Sequence, residues 1–415
     1  DYAKEQNITI RKNRITAAST QIDVKTAKAA LFPSLSFSTG HQVVNRPYQE
    51  TSSRVSGSEI ISSNSKTSYN GNYGLNASWT LYNGNKRLKT IQQEKLNNQM
   101  AELDVATSEN NIQESIAQVY IQILYAAESV KVNENTLQVS IAQRDRGQEL
   151  LNAGSIAKSD LAQLEAQVST DRYQLVTAQA TLEDYKLQLK QLLELDGENE
   201  MNIYLPALSD ENVLAPLPTK RDVYISALSL RPEIEASKLN VEASELGINI
   251  AKSSYFPTIS LSAGIGTNHT SGSDFTFGEQ VKNGWNNSIG LSVSVPIFNN
   301  RQTKSAVQKA KLQYETSMLS LLDEQKALYK TIESLWLDAN SAQQRYAAAS
   351  EKLKSTQISY ELISEQFNLG MKNTVELLTE KNNLLQAQQE QLQAKYMAIL
   401  NTQLLKFYQG DQLAI

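Results

Sequence analysis

Four stretches of this chain alternate apolar and small polar residues with period two, the pattern of strands with two unlike faces. Leu35, Phe37, Thr39, His41 and Val43 alternate with Ser36, Ser38, Gly40 and Gln42. Tyr73, Leu75, Ala77, Trp79 and Leu81 alternate with Gly74, Asn76, Ser78 and Thr80. Ile259, Leu261, Ala263 and Ile265 alternate with Ser260, Ser262, Gly264 and Gly266, and Ile289, Leu291, Val293, Val295 and Ile297 with Gly290, Ser292, Ser294 and Pro296. The pattern predicts strands over 34–44, 69–82, 258–267 and 285–298. One face is mostly apolar, and the other is small, polar and uncharged. A half-buried sheet of a soluble protein fits this alternation. A membrane barrel fits it too, with apolar residues toward lipid and Ser, Gly and Asn toward a wet lumen. Trp79, Tyr82, Trp285 and Phe298 lie near strand ends, where interfacial aromatic girdles sit. The segments 45–68 and 268–284 are rich in Ser, Asn, Thr and Gly and read as exposed loops.

Between the strand pairs the period changes to that of helices. Residues 1–31 read as one helix, stopped at Phe32-Pro33 because the residue before proline is pushed out of the α region. Residues 221–255 read the same way, stopped at Phe256-Pro257. Long proline-free helices are expected over 86–147 and 301–366. In the first, Ile112, Ile116, Val119, Ile123, Ala127 and Val130 form one stripe. At about 1.5 Å per residue each would run roughly 90–100 Å, far more than a globular core needs. Tips over 148–158 and 367–374, centred on Gly154 and Gly370, return the chain into helices 159–196 and 375–408. The first return helix places Leu161, Leu164, Val168, Asp171, Leu175, Ala178, Leu182, Tyr185, Leu189 and Leu192 on a seven-residue repeat. That is a left-handed coiled-coil seam broken only by Asp171. In the second, Leu378, Leu385, Leu392 and Ile399 recur every seven.

These elements occur twice. KAALFPSLSFSTG at 28–40 matches KSSYFPTISLSAG at 252–264, and YGLNASWTLYNGN at 73–85 matches IGLSVSVPIFNNR at 289–301. NAGSIAKSDL at 152–161 matches NLGMKNTVEL at 368–377. The chain therefore divides into a first repeat over 1–200, a Pro-containing linker over 201–220 and a second repeat over 221–415.

Composition narrows the function classes. The net charge is -5 and the pI about 5.4, with no basic stripe for a nucleic-acid backbone. There is no cysteine, so disulfides, thiolate catalysis and Cys-ligated metals are excluded within this sequence. No stretch approaches the roughly 18 apolar residues of a transmembrane helix. Residue 1 opens inside a helical pattern, so a mature or trimmed chain is expected. The two histidines, His41 and His269, sit in the strand-loop regions without acidic partners at ligand spacing, and surface or structural roles are expected of them. No nucleotide-binding or nucleophile motif is present. No enzyme, cofactor or metal site is expected.

Four strands per chain cannot make a wide barrel, and open edges cannot face lipid. The strands must pair with other copies. A trimer would give twelve strands, although a dimer or tetramer would also close.

The FPS and FPT strand starts, the WTLYNGN and VPIFNN strand ends and the two glycine tips resemble the TolC family of outer-membrane efflux proteins along essentially the whole chain. The resemblance implies a mixed, mostly α membrane protein. It would form a homotrimer with a twelve-stranded barrel in the lipid of a Gram-negative outer membrane, continued by an α-helical tunnel in the periplasm. It implies a passive exit duct of a tripartite efflux or secretion system, docked by Gly154, Ser155, Gly370 and Met371 to a periplasmic adaptor. The energy would come from an inner-membrane efflux pump or ABC transporter. Asp160 falls where the family often has an aspartate that helps shut the tunnel. Phe367 matches a tyrosine of that latch without its hydroxyl, and Lys372 matches an arginine. Glu376 matches an aspartate of an acidic ring. Asp160 and Glu376 are also placed to favour their helix N-termini. The alternative class is a soluble coiled-coil scaffold or an α-helical pore-forming protein.

Overall fold

A computed structural model describes residues 2–48, 52–56, 59–63, 66–196, 203–204, 213–273 and 275–413. In chain order the elements of the first repeat are α1 (Tyr2–Gln6), α2 (Ile8–Ala29), β1 (Ser34–Asn45), β2 (Ser52–Ser56), β3 (Glu59–Ser63), β4 (Thr67–Asn83), α3 (Lys86–Asn152) and α4 (Lys158–Leu192). Those of the second are α5 (Lys220–Leu230), α6 (Pro232–Ser253), β5 (Thr258–Thr270), α7 (Phe277–Asn283), β6 (Asn286–Ser294), α8 (Gln302–Asn368) and α9 (Thr374–Gln409). Helices α3 and α8 are each 67 residues long. They start 216 positions apart and end 216 positions apart, so the repeat is kept in length as well as in order.

Several expectations are corrected. Residues 1–31 are not one helix. The side-chain oxygen of Asn7 accepts from the amides of Thr9 (2.9 Å) and Ile10 (3.4 Å), capping a new helix. Residues 221–255 are likewise two helices. Arg231 is extended at φ -77, ψ 123, as a residue before proline must be, and Pro232 opens α6 where its missing N–H costs nothing. The segment 45–68 carries the β2–β3 hairpin. The segment 268–284 carries α7, started by a reciprocal cap between Thr276 and Glu279. The last strand ends at Ser294, before Pro296, so Phe298 lies outside it. Most of the 201–220 linker lies outside the described residues. Its end is fastened to α8: Gln343 donates to the carbonyls of Val213 and Ala215, and Trp336 to that of Pro218.

The chain forms two compact units that cut across the repeats, each drawing on both. One, residues 17–100 and 238–319, contains the sheet. Its strand order is β1-β4-β5-β6, antiparallel throughout. A bulge between Thr80 and Tyr82 puts Tyr82 opposite Ile259. The simple alternation placed Leu81 on that face; the extra residue hands the position to Tyr82. Both strand-to-helix junctions use two successive left-handed residues, Gly84-Asn85 and Asn300-Arg301. A Cβ at Gly84 would fall 2.6 Å from the Ser253 carbonyl, so glycine is required there by space as well as by φ.

The other unit, residues 1–16, 101–237 and 320–415, is helical. Its cores are strung along α9. Ile121, Leu124 and Tyr346 pack with Leu392, Tyr396 and Leu404, while Val223, Ala227, Ile234 and Ile332 pack with Leu405 and Tyr408. Buried Arg231 ties the α5–α6 break to this core. It is bonded to Glu114 (2.7 Å) and Glu233 (2.9 Å) and stacked 4.0 Å over the Tyr408 ring.

Candidate functional site

The tips of the two helix hairpins gather most of the chemistry that the sequence singled out. Each long helix ends on a glycine in the left-handed conformation, Gly154 at φ +70 and Gly370 at φ +74. The Gly154 amide donates to the Leu151 carbonyl (2.9 Å) and the Ser155 amide to that of Leu150 (2.8 Å). Gly370 and Met371 repeat these bonds to Phe367 (2.9 Å) and Gln366 (2.8 Å). Paired bonds of this kind close a helix end with its carbonyls satisfied, and glycine adopts the turn without strain. Leu369 and Met371 are largely exposed there.

The two tips then differ at the start of the return helices. Asn373 accepts from the Glu376 amide (2.9 Å), and the Glu376 carboxylate accepts from the Asn373 amide (3.3 Å), a complete capping box. At the first tip Ala157 stands where Asn373 does and has no side-chain acceptor. Half the box remains, the Asp160 carboxylate accepting from the Ala157 amide at 3.0 Å. Lys372 donates to Glu376 at 2.6 Å. That bond, joined by the Asn373 amide, holds the Glu376 carboxyl below the usual carboxylate range. A depressed carboxylate gives stability that is present above its unfolded pKa and lost as pH falls through the folded one. Protection of the amides at the start of α9, relative to the intrinsic exchange rate at each pH, should therefore hold down through about pH 4.5, the ordinary glutamate value, and fall only below it. Glu376→Gln should abolish that step.

Phe367 is buried. It packs on Leu164 and Leu377, with Leu150, Tyr360, Ile363 and Leu378 around them, a small core shared by both hairpins. Across the hairpins Gln143 donates to the Tyr360 hydroxyl (2.8 Å) and Arg146 to the Asn368 carbonyl (3.4 Å). The structure thus joins Lys372 to Glu376, seats Phe367 in the core next to Leu377, and gives Asp160 a bond to its own tip.

One constellation escaped the sequence reading. Asp171, the exception in the α4 seam, is 1% exposed, and it meets Lys381 of α9 at 3% and Ser140 of α3 at 2%. Lys381 donates to both the Asp171 carboxylate and the Ser140 hydroxyl, Ser140 donates to Asp171, and Gln167 donates to the other Asp171 oxygen at 2.9 Å. Burial pushes the Lys381 ammonium down, and Asp171 opposes that shift. The signal for Asp171 was its place on an apolar stripe. Nothing local in sequence points to Lys381, 210 residues away.

The sheet is the second feature with functional character. Cross-strand partners share a face, and the register puts Leu35, Phe37, Leu75, Ala77, Trp79, Leu261, Ala263, Ile289, Leu291 and Val293 together on one. Many are wide open, with Ile289 at 78% and Phe37 at 68%. The opposite face carries Ser36, Ser38, Asn76, Ser78, Ser262, Gly264, Ser288 and Ser292. Among the four aromatics singled out, Trp79 donates to the Leu31 carbonyl at 2.7 Å. Tyr82 is half-buried. Trp285 and Phe298 are exposed and flank β6 at its two opposite ends. The histidines meet at the loop end. His41, Gly71 and His269 form one cross-strand row, ringed by Tyr69 and Tyr73. Gly71 makes that row possible, since a Cβ there would lie 2.2 Å from His269 Cε1.

The pattern that defines the family described as "Outer membrane efflux protein" matches residues 1–194 and 223–410. The chain is 24% identical over 294 residues to the outer membrane efflux protein BepC of Brucella suis biovar 1, covering 70% of this chain and 61% of that protein. Against the outer membrane protein TolC of Escherichia coli K12 it is 24% identical over 294 residues, covering 69% and 58%. The chain thus spans about three-fifths of the length of these curated relatives. Its backbone follows a crystal structure of CusC at a TM-score of 0.82 and 18% identity, covering 99% of this chain and 91% of that one.

Proposed function

The chain belongs to the outer membrane efflux protein family, and from that premise we propose that it is the outer-membrane exit duct of a tripartite efflux or secretion system. The observation that carries this reading is the sheet. It exposes an apolar face, backs it with an uncharged polar face, and, among the described residues, leaves β1 and β6 each unpaired on one side. Such a sheet is incomplete alone. Because β1 and β6 run in opposite directions, β6 of one copy can pair antiparallel with β1 of the next. Three copies then close a twelve-stranded barrel, apolar toward lipid and polar toward a water-filled lumen. Trp79, Tyr82, Trp285 and Phe298 belong to its two interfacial girdles.

In this reading the helical unit lines the periplasmic part of the duct, and the hairpin tips are its gate. Gly154, Ser155, Gly370 and Met371 meet a periplasmic adaptor protein, and an inner-membrane pump or ABC transporter supplies the energy. No bond is made or broken in the cargo. Glu376, repeated by symmetry, makes a ring of three carboxylates that favours cations. Lys372 holds each carboxylate in place, Asp160 stiffens the first tip, and Phe367 anchors the tips from inside. Purified protein in a planar bilayer tests the assignment. Glu376→Ala should weaken cation preference, and Lys372→Ala should raise conductance by freeing the tip. If both leave conductance and ion preference unchanged, the tips are not the gate.

A further inference from the structure

Opening the tips requires the α3–α4 hairpin and the α8–α9 hairpin to move relative to each other, at least near their ends. The contacts between them on the tip side are soft. They are the small apolar core of Leu164, Phe367 and Leu377, the Gln143–Tyr360 bond, and long bonds from Arg146 to the Asn368 carbonyl (3.4 Å) and from Gln167 to Asn382 (3.5 Å). The Ser140–Asp171–Lys381 cluster is of another kind. It joins α3 and α4 to α9 through a buried ion pair with its remaining polar atoms bonded. Separating such a pair would strand two charges without water, so it resists parting more strongly than the apolar contacts below it. On its far side from the tips lies a cavity of about 110 Å³, lined by Val132, Thr136, Tyr360, Lys381, Leu384 and Gln388. Close packing resists rotation, and this cleft, half open to solvent, leaves the pair less tightly packed on that side.

We infer that Ser140, Asp171 and Lys381 form a pivot for gating. They are positioning residues that keep the hairpins joined at this level while the tips below swing apart. The inference rests on reading the tips as a gate, and its test has a readout independent of conduction. The chain has no native cysteine, so Ser155→Cys and Met371→Cys give two unique spin-label sites on the two tips. Label distances are measured by electron paramagnetic resonance on the assembled, detergent-solubilised protein, with doubly labelled chains diluted in excess unlabelled ones so that most assemblies carry a single pair. In the parent a single short distance is expected. Asp171→Leu with Lys381→Leu removes both charges at similar volume and should leave the melting temperature near the parent's. It should add a longer-distance population on the order of a tenth of the molecules. A control, Val223→Ala in the α5–α9 core, should lower the melting temperature and leave the tip distance alone. A distance unchanged by the double substitution, or changed as much by the control, overturns the pivot. A shifted distance without any bilayer conductance would uphold the pivot and sink the channel reading instead.

Discussion

Asp171→Ala will be among the most destabilising single substitutions in the helical unit, costing about 3–5 kcal/mol per chain. The lost hydrogen bonds are the smaller part of that. The larger part is the Lys381 ammonium, left 3% exposed with Ser140 as its remaining partner. Burial already lowers its pKa, and Asp171 is what holds the proton on. Without the carboxylate the lysine must shed its proton or drag water between the helices. The replacement of both charges by leucine is expected to be neutral or stabilising, because desolvation offsets most of what the pair returns. Thermal melting of the assembled protein should therefore order the double variant level with or above the parent, and both far above Asp171→Ala. If Asp171→Ala melts with the parent, the side chains do not sit as described.

The contrast between Asp171 and Lys381 shows where sequence reading stops. Asp171 was conspicuous because period seven is a local rule and a carboxylate breaks it. Lys381 looked like any other lysine on a helix. What makes it unusual is burial created by a helix that follows more than two hundred residues later. The same division runs through the fold. Strand faces, long helices and glycine tips follow from periods and turn chemistry confined to a few residues, and they were legible. The bulge at Leu81 depends on how β4 meets β5, and so it was not. Two misses were readable in principle. Thr276 and Glu279 stand at capping-box spacing inside a segment taken for loop, and the loop composition around them outweighed the signal. The span 221–255 runs through Pro232, because a proline at the first position of a helix looks, in sequence, like a proline inside a longer one. At the tips, acids and a base at a constriction were implied by the family resemblance, and the residue types alone pointed only to carboxylates favoured at helix N-termini. The seating of Phe367 on Leu164 and Leu377 needed the packing of both hairpins.

Leu291→Arg and Ser292→Arg, neighbours on β6, should behave oppositely, and the pair separates a barrel from a soluble sheet. Leu291 stands in a cross-strand row with Leu261 and Trp79, on the face that carries Ile289 and Val293. Its side chain is 64% exposed, so in water an arginine there would meet no obstacle. In a bilayer the same position faces hydrocarbon. An arginine on a barrel's lipid face costs about 2–4 kcal/mol at the midplane and less toward the interfaces, and three copies would each bear it. Assembly in the membrane fraction should collapse. Ser292 pairs with Ser260 on the polar face, where an arginine is hydrated by the lumen. That variant should assemble normally and conduct with its ion preference moved toward anions, because three added cations line the duct. The measurements are recovery of folded oligomer from membranes and reversal potential in a planar bilayer. Equal tolerance of both substitutions, with a chain that stays dissolved without detergent, would mean that the open apolar face meets no lipid. The soluble-scaffold alternative would then be the better account of the sheet.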